Sequence, residues 1–226
     1  MDKPHPSLRL DDRPGLSLAE AVYRTLQQAL RDGALRPGDR LREDDVAQQL
    51  QVSRTPVRES FGRLLSRGLI EPAGSRGLVV RSLDPAEALE LYAVREVLEG
   101  TAARLAAQHA SPAEIEALAD LLDSFETSEG DARELARQNR LFHEAIFRAA
   151  RNRYLDGALK DLQDSIALLG PTTFSVEKRP HTAAIEHRAI LSAIARRDAD
   201  AAEQAARLHI REALRARMKL LGERKA

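Results

Sequence analysis

The chain has 226 residues, 43% hydrophobic and 31% charged, an ordinary balance for a folded protein of one large domain or two modest ones. The absence of cysteine excludes a disulfide framework and thiolate metal sites, and 35 basic residues cancel 35 acidic ones, so no global charge draws the chain to nucleic acid. No run approaches the ~20 apolar residues of a membrane helix and the N-terminus has no signal-like apolar core, so the expectation is a cytoplasmic location without membrane contact.

The charge is unevenly placed. Residues 1–83 carry 14 Lys and Arg against 11 Asp and Glu, residues 84–226 carry 21 against 24, and between 53 and 81 six arginines meet two glutamates. Residues 1–17 read as a flexible lead-in. Leu18, Val22, Leu26, Ala29 and Leu30 then recur at helical spacing until Gly33 and Pro37-Gly38 stop the helix. A short second helix from Glu43 to Gln51 would bury Val46, Ala47 and Leu50. After a sharp turn Ser53, suited to accept an N-cap hydrogen bond, opens a third helix from Arg54 to about Ser66. Here Val57, Phe61, Leu64 and Leu65 form an apolar stripe, Pro56 sits in the tolerant first turn, and Thr55 and Arg58 lie off the stripe. Gly68 closes that helix, and Leu69–Glu71 and Leu78–Arg81 read as two strands around a turn at 72–77.

Helix, turn, helix and hairpin make a winged helix-turn-helix over residues 18–82. In such a fold the N-terminal turn of the third helix enters the major groove, where an arginine can donate two hydrogen bonds to guanine. Arg54 and Arg58 are therefore the expected base readers, with Ser53 and Thr55 as phosphate or thymine-methyl contacts. Arginines on a solvated helix face are the bland alternative for each one taken singly. Their combination with the turn and the wing favours double-stranded DNA.

After Ser82 to Asp84 the strand signals vanish, and residues 83–226 read as an antiparallel all-helical bundle, so the fold class is mostly α. Asp84-Pro85-Ala86-Glu87 and Ser111-Pro112-Ala113-Glu114 each offer a cap, a proline at the first helical position and a closing glutamate. Helices are expected at about 84–109, 112–127, 131–150, 153–169, 181–197 and 199–222.

Residues 18–81, with LREDDVAQQLQVSRTPVRESFGRLLSRGLIEP as signature, resemble the DNA-binding domain of the GntR family of bacterial transcription regulators. The second domain resembles the FadR-type ligand-binding domain, through Leu91-Tyr92-Ala93-Val94-Arg95-Glu96-Val97-Leu98-Glu99, Asn139-Arg140-Leu141-Phe142-His143, and Glu186-His187-Arg188-Ala189-Ile190 with His209. The resemblance implies DNA contacts at Ser53, Arg54, Thr55 and Arg58, and a wing contact at Arg76 and Gly77. Some members use a basic residue early in the second helix, where this chain has Asp44.

Asn139 and His143 are i, i+4 neighbours on one helix face. His187 and His209 each stand eleven residues from Asp198, so a turn there sets both imidazoles at one height in antiparallel helices. Three imidazoles and an amide oxygen would then converge on a divalent metal, zinc being the expected one, with a coordination position left open. The resemblance implies the same use, with an acidic residue usual where this chain has Asn139, a weaker ligand without charge. His5, His109 and His181 read as ordinary helix or surface histidines. Arg95 is the expected partner of an effector carboxylate, its alternative being an i, i+4 salt bridge with Glu99.

The expectation is a non-enzymatic, homodimeric transcription regulator, a repressor that releases DNA when a small organic acid binds its helical domain. The competing reading is a metal-dependent hydrolase in which Glu144 or Glu186 activates bound water. A third reading, an architectural DNA protein, has no use for inward histidines.

Overall fold

The computed structural model describes residues 8–74 and 77–223. It divides into two compact units, one formed by the chain up to Asp84 together with Gln163–Gly170, the other by Pro85–Leu162 and Pro171 onward. The sequence reading places a single boundary near residue 83. The short return of the chain at 163–170 is the difference.

In the first unit α1 (Leu18–Arg31) starts at Ser17, whose side chain accepts from the Glu20 amide, and buries Val22, Leu26 and Leu30. The described part of the lead-in, residues 8–17, is anchored: the Asp11 amide donates to Thr25 Oγ1 on α1 at 2.9 Å, and Leu8 and Leu10 pack against the core. Strand β1 (Arg40–Leu41) precedes α2 (Glu43–Leu50). The turn to α3 (Arg54–Ser66) is made by Gln51 in the left-handed region, φ 55°, after which the Val52 amide donates back to the Ala47 carbonyl at 3.0 Å. The α3 stripe is Val57, Ser60, Phe61 and Leu64, with Leu65 left 37% exposed rather than buried as expected. Ser60 fits a core position because its hydroxyl lies 2.7 Å from the Pro56 carbonyl and 2.9 Å from that of Ala19, which satisfies it without water.

Strands β2 (Ile70–Pro72) and β3 (Leu78–Val80) form the expected antiparallel hairpin, with Glu71 opposite Val79. Strand β1 adds to the other edge of β3, giving the order β1-β3-β2. Leu35, Leu41, Leu50, Phe61, Leu69, Ile70 and Val80 close one core. Each such side chain contributes about 1.5–3 kcal/mol by leaving water.

The second unit is built from α4 (Pro85–His109), α5 (Pro112–Glu126), α6 (Ala132–Ala149), the first part of α7 (Arg153–Ala167), α8 (Arg179–Ala195) and α9 (Ala199–Glu223). α5 opens with the expected capping box: Ser111 Oγ accepts from the Glu114 amide, and Glu114 accepts from the Ser111 amide at 2.7 Å. α4 and α9 are long partners lined with Ala102, Ala103, Ala106, Ala202 and Ala206, small residues that let the backbones approach. Gly100 belongs to the same seam, since a Cβ there would stand 2.8 Å from Arg207 Cγ. The turn from α8 to α9 uses Arg197 at φ 59° and Asp198, whose carboxylate accepts from the Ala201 amide at 3.0 Å.

The end of α7 supplies Asp164 to the first unit, and Leu168, just after the helix, joins its core. Asp164, 2% exposed, accepts from Arg31 Nε and from Gln27 Nε2, both at 2.6 Å. No helix among the described residues is long and apolar enough to cross a membrane.

Candidate nucleic-acid interface and candidate metal centre

Ser53, Arg54, Thr55 and Arg58 are all exposed at the start of α3, while Pro56 and Val57 turn inward and anchor it. Ser53 has the extended backbone of an N-cap, φ −70° and ψ 165°, but its side chain makes no cap hydrogen bond, contrary to the sequence expectation. Its hydroxyl is therefore not engaged by the first turn. Gly77 lies exposed between β2 and β3 with φ 80°, a left-handed conformation that favours glycine; Arg76 lies outside the described residues.

Not all of the basic segment faces outward. Arg63 is drawn to α1, where it donates to Glu20 at 2.6 Å and its guanidinium carbon sits 3.7 Å from the centre of the Tyr23 ring. Arg67 donates to the Tyr23 hydroxyl at 2.9 Å and pairs with Asp164 at 3.4 Å. The local excess of arginine thus overstates the cations offered to a partner. Arg54 and Arg58 remain at the surface, each beside a carboxylate of α2: Arg54 Nε is 2.6 Å from Asp44, and Arg58 reaches Glu43 through Nε and Nη2 at 2.9–3.2 Å.

In the second unit His143 of α6, His187 of α8 and His209 of α9 meet in the core, at 6%, 0% and 3% exposure, with candidate ligand atoms all within 4.8 Å of one another. His143 Nε2 and His209 Nε2 stand 3.2 Å apart. On their far sides His143 Nδ1 is 2.8 Å from Glu99 and His209 Nδ1 is 2.6 Å from Glu186. In the tautomer that donates from Nδ1 to its carboxylate, each imidazole turns an Nε2 lone pair toward the other, the arrangement in which both can ligate one cation. Burial, followed by the neighbouring imidazoles and Arg179, pushes His187 well below its ordinary pKa, and burial does the same to His209, so both stay neutral, the form that ligates metal.

His187 sits between Phe125 and Phe142, ring centres 5.3 and 4.7 Å away. Neither of its nitrogens has a hydrogen-bond partner among the described residues, and neither does the buried Oδ1 of Asn139, one turn before His143. Buried polar atoms are rarely left so. The donor set therefore fits a divalent cation held by nitrogen and oxygen ligands.

Two buried arginines frame the centre. Arg95 donates from Nε to Glu99 at 2.8 Å and lies 4.6 Å from the centre of the Tyr92 ring, so the salt bridge weighed as its alternative role is present. Burial raises the Glu99 carboxyl, but Arg95 and His143 outweigh it and hold the group at about 2. Arg179 grips Glu186 with both Nη groups at 2.7 and 2.9 Å. Arg179 carried no signal in the sequence, because it falls in the stretch read as a loop between residues 170 and 180. α8 starts two residues earlier than its periodicity suggests, after Lys178 at φ 64°. Glu186, considered from sequence as a hydrolytic base, is committed to Arg179 and His209, and Glu144 points toward Arg148, 4.0 Å away.

Comparison with known proteins finds a family for each of the two units. Residues 18–80 match the model of bacterial regulatory proteins of the gntR family, and residues 90–212 match the FCD domain. The probable D-xylose utilization operon transcriptional repressor of Paenarthrobacter nicotinovorans is 32% identical over 196 residues, covering 86% of each chain. The HTH-type regulator YdhC of Bacillus subtilis, itself uncharacterized, is 29% identical over 80% of this chain and 83% of its own. Among solved structures, McbR/YncC of E. coli superposes with a TM-score of 0.77 over 93% of this chain and all of its own, at 26% identity. The winged first unit, the helical second unit and these relatives together place the chain in the GntR family of bacterial transcription regulators, in the group that carries an FCD domain.

Proposed function

We propose that the protein is a homodimeric repressor, working in the cytoplasm, that holds operator DNA through the start of α3 and releases it when a small organic acid binds the helical unit. The observation that carries the sensing part is the meeting of three buried histidines whose candidate ligand atoms lie within 4.8 Å of one another, both nitrogens of His187 being without a hydrogen-bond partner among the described residues. His143, His187 and His209 would hold a divalent metal, zinc by the chemistry of the set, with Asn139 as a weaker fourth ligand. Bound there, the ion would supply positive charge and a coordination position open to an anionic oxygen. Glu99 and Glu186 orient two of the ligands, and Arg179 fixes Glu186 in turn. Arg95 stands one carboxylate away from His143, so an acid that engages its guanidinium also competes for the group that orients a ligand.

Ser53, Arg54, Thr55 and Arg58, with Arg76 and Gly77 of the wing, are the DNA contacts in this reading. Dimerisation is supported by α4, which buries Leu91, Tyr92 and Ala102 on one side yet leaves Leu89, Val94 and Val97 about half exposed on the other. Apolar side chains left in water together on one helix mark a surface suited to cover by a second copy. Two copies would then present two recognition helices to a palindromic site. The relatives named above are regulators, and no observation favours a hydrolase.

Metal analysis of protein purified without chelators, with a thermal-shift screen of hydroxy acids, sugar acids and dicarboxylates against wild type and Arg95→Ala, tests the proposal. The expected result is one metal per chain and an acid that stabilises wild type, weakens operator binding and fails with the variant. Absence of zinc uptake, or a best ligand without an acidic group, would overturn it.

A further inference from the structure

The first turn of α2 is acidic, with Glu43, Asp44 and Asp45, and it abuts the first turns of α3. Arg54 Nε lies 2.6 Å from an Asp44 carboxylate oxygen in an ion pair, with both side chains about half exposed or more. The Arg54 guanidinium makes no hydrogen bond among the described residues, so its Nη groups keep their donors for a partner. Glu43 grips the matching edge of Arg58. An exposed ion pair of this kind contributes little to stability. Its consequences lie in the two properties that a DNA-reading arginine needs.

The first is orientation. A guanidinium offers donors along more than one edge of a rigid plane. With Nε held by a carboxylate, the edge formed by the two Nη groups is still able to donate to O6 and N7 of guanine, and the side-chain freedom otherwise lost on binding is already lost. The second is charge. An arginine paired with a fixed carboxylate attracts phosphate less, which weakens the sequence-independent part of binding.

We infer that Asp44 is a specificity-determining positioning residue, which aims Arg54 at a guanine and suppresses its use as a phosphate contact. Glu43 does the same for Arg58 with a two-point grip. This inference rests on the DNA-contact reading of α3 given above.

The test uses the full chain and a random double-stranded oligonucleotide pool, with wild type, Arg54→Ala, Asp44→Ala and Asp44→Asn selected in parallel. Loss of preference with Arg54→Ala locates the base pair that Arg54 reads. At that pair Asp44→Ala should discriminate about tenfold less than wild type, bind a scrambled duplex several-fold tighter at low salt, and steepen the slope of log affinity against log salt by about one phosphate contact. Asp44→Asn keeps an oxygen to hold Nε but not the charge, so it should keep the base preference and still steepen the slope, which a merely structural role for Asp44 would not produce. Thermal melting of each variant checks that α2 is intact. If Asp44→Ala enriches the wild-type sequence with the wild-type salt slope, the inference is overturned while DNA reading by α3 stands. If wild type enriches no sequence at all, the reading of α3 falls and the inference with it.

Discussion

Replacing Glu186 by glutamine separates orientation of a metal ligand from simple core packing, because the two side chains are nearly the same size. The carboxylate accepts from His209 Nδ1 at 2.6 Å and from both Nη groups of Arg179 at 2.7 and 2.9 Å. An amide has one acceptor oxygen, so its NH2 must face either a guanidinium donor or the imidazole N–H. Leaving one partner of a buried ion pair alone costs about 3–5 kcal/mol; the remaining amide oxygen offsets part of that, and a loss of about 2–3 kcal/mol is expected without metal. Disturbing a group that orients a ligand lowers metal affinity about 10- to 100-fold, or about 1.4–2.7 kcal/mol. Zinc at a free concentration about 1,000 times the wild-type Kd should stabilise wild type by about 4.1 kcal/mol, and the variant by only about 1.4–2.7 kcal/mol. Zinc competition with a colorimetric chelator gives the affinity, and urea unfolding with and without zinc gives the two stabilities. Equal zinc affinity in wild type and Glu186→Gln would refute the orienting role. Zinc that stabilises neither protein would refute the centre itself.

In the first unit, Asp164→Ala removes the acceptor shared by Arg31, Gln27 and Arg67; because Arg31 and Arg67 reach solvent at 17% and 33% exposure, the cost is about 2 kcal/mol by urea unfolding, and a change below about 0.5 kcal/mol would contradict it. Glu114 is held at about 2, against its ordinary 4.5, chiefly by the Ser111 amide and side chain and then by Arg151. A depressed carboxyl stabilises the fold above its unfolded pKa and loses that contribution as pH falls from about 4.5 toward 2. Its partial exposure screens the effect, so Glu114→Gln should cost about 0.5–1 kcal/mol at pH 7, with the gap to wild type closing on acidification; a pH-independent gap would refute the assignment. Placing Lys at Val97 should weaken self-association at least tenfold in sedimentation experiments while changing unfolding of the monomer little, and an unaltered dimer would remove α4 from the interface.

Legibility followed the kind of signal each feature leaves. α1, α3 and the hairpin announce themselves because apolar periodicity, Gly68 and the turn residues agree, whereas β1 is two residues long and leaves no period to read. Leu65, expected in the α3 stripe, is left 37% exposed, while Ser60 is buried because its hydroxyl is satisfied by the carbonyl four residues back, which periodicity of apolar residues does not reveal. The histidine centre was legible from arithmetic alone: Asp198 turns the chain, equal distances on either side bring His187 and His209 to 4.6 Å between ring centres, and one helical turn places Asn139 with His143. What holds those imidazoles was harder to see. Glu99 was visible only as a partner for Arg95, and Glu186 only as a base. Arg179 depends on a lysine adopting left-handed φ, which nothing in its side chain favours. The same limit applies to Asp164, since periodicity says that a helix face is covered but not by what. A buried aspartate near the end of a helix amid polar neighbours reads as solvated surface until its partners Arg31 and Gln27, 133 and 137 residues away in the chain, are known.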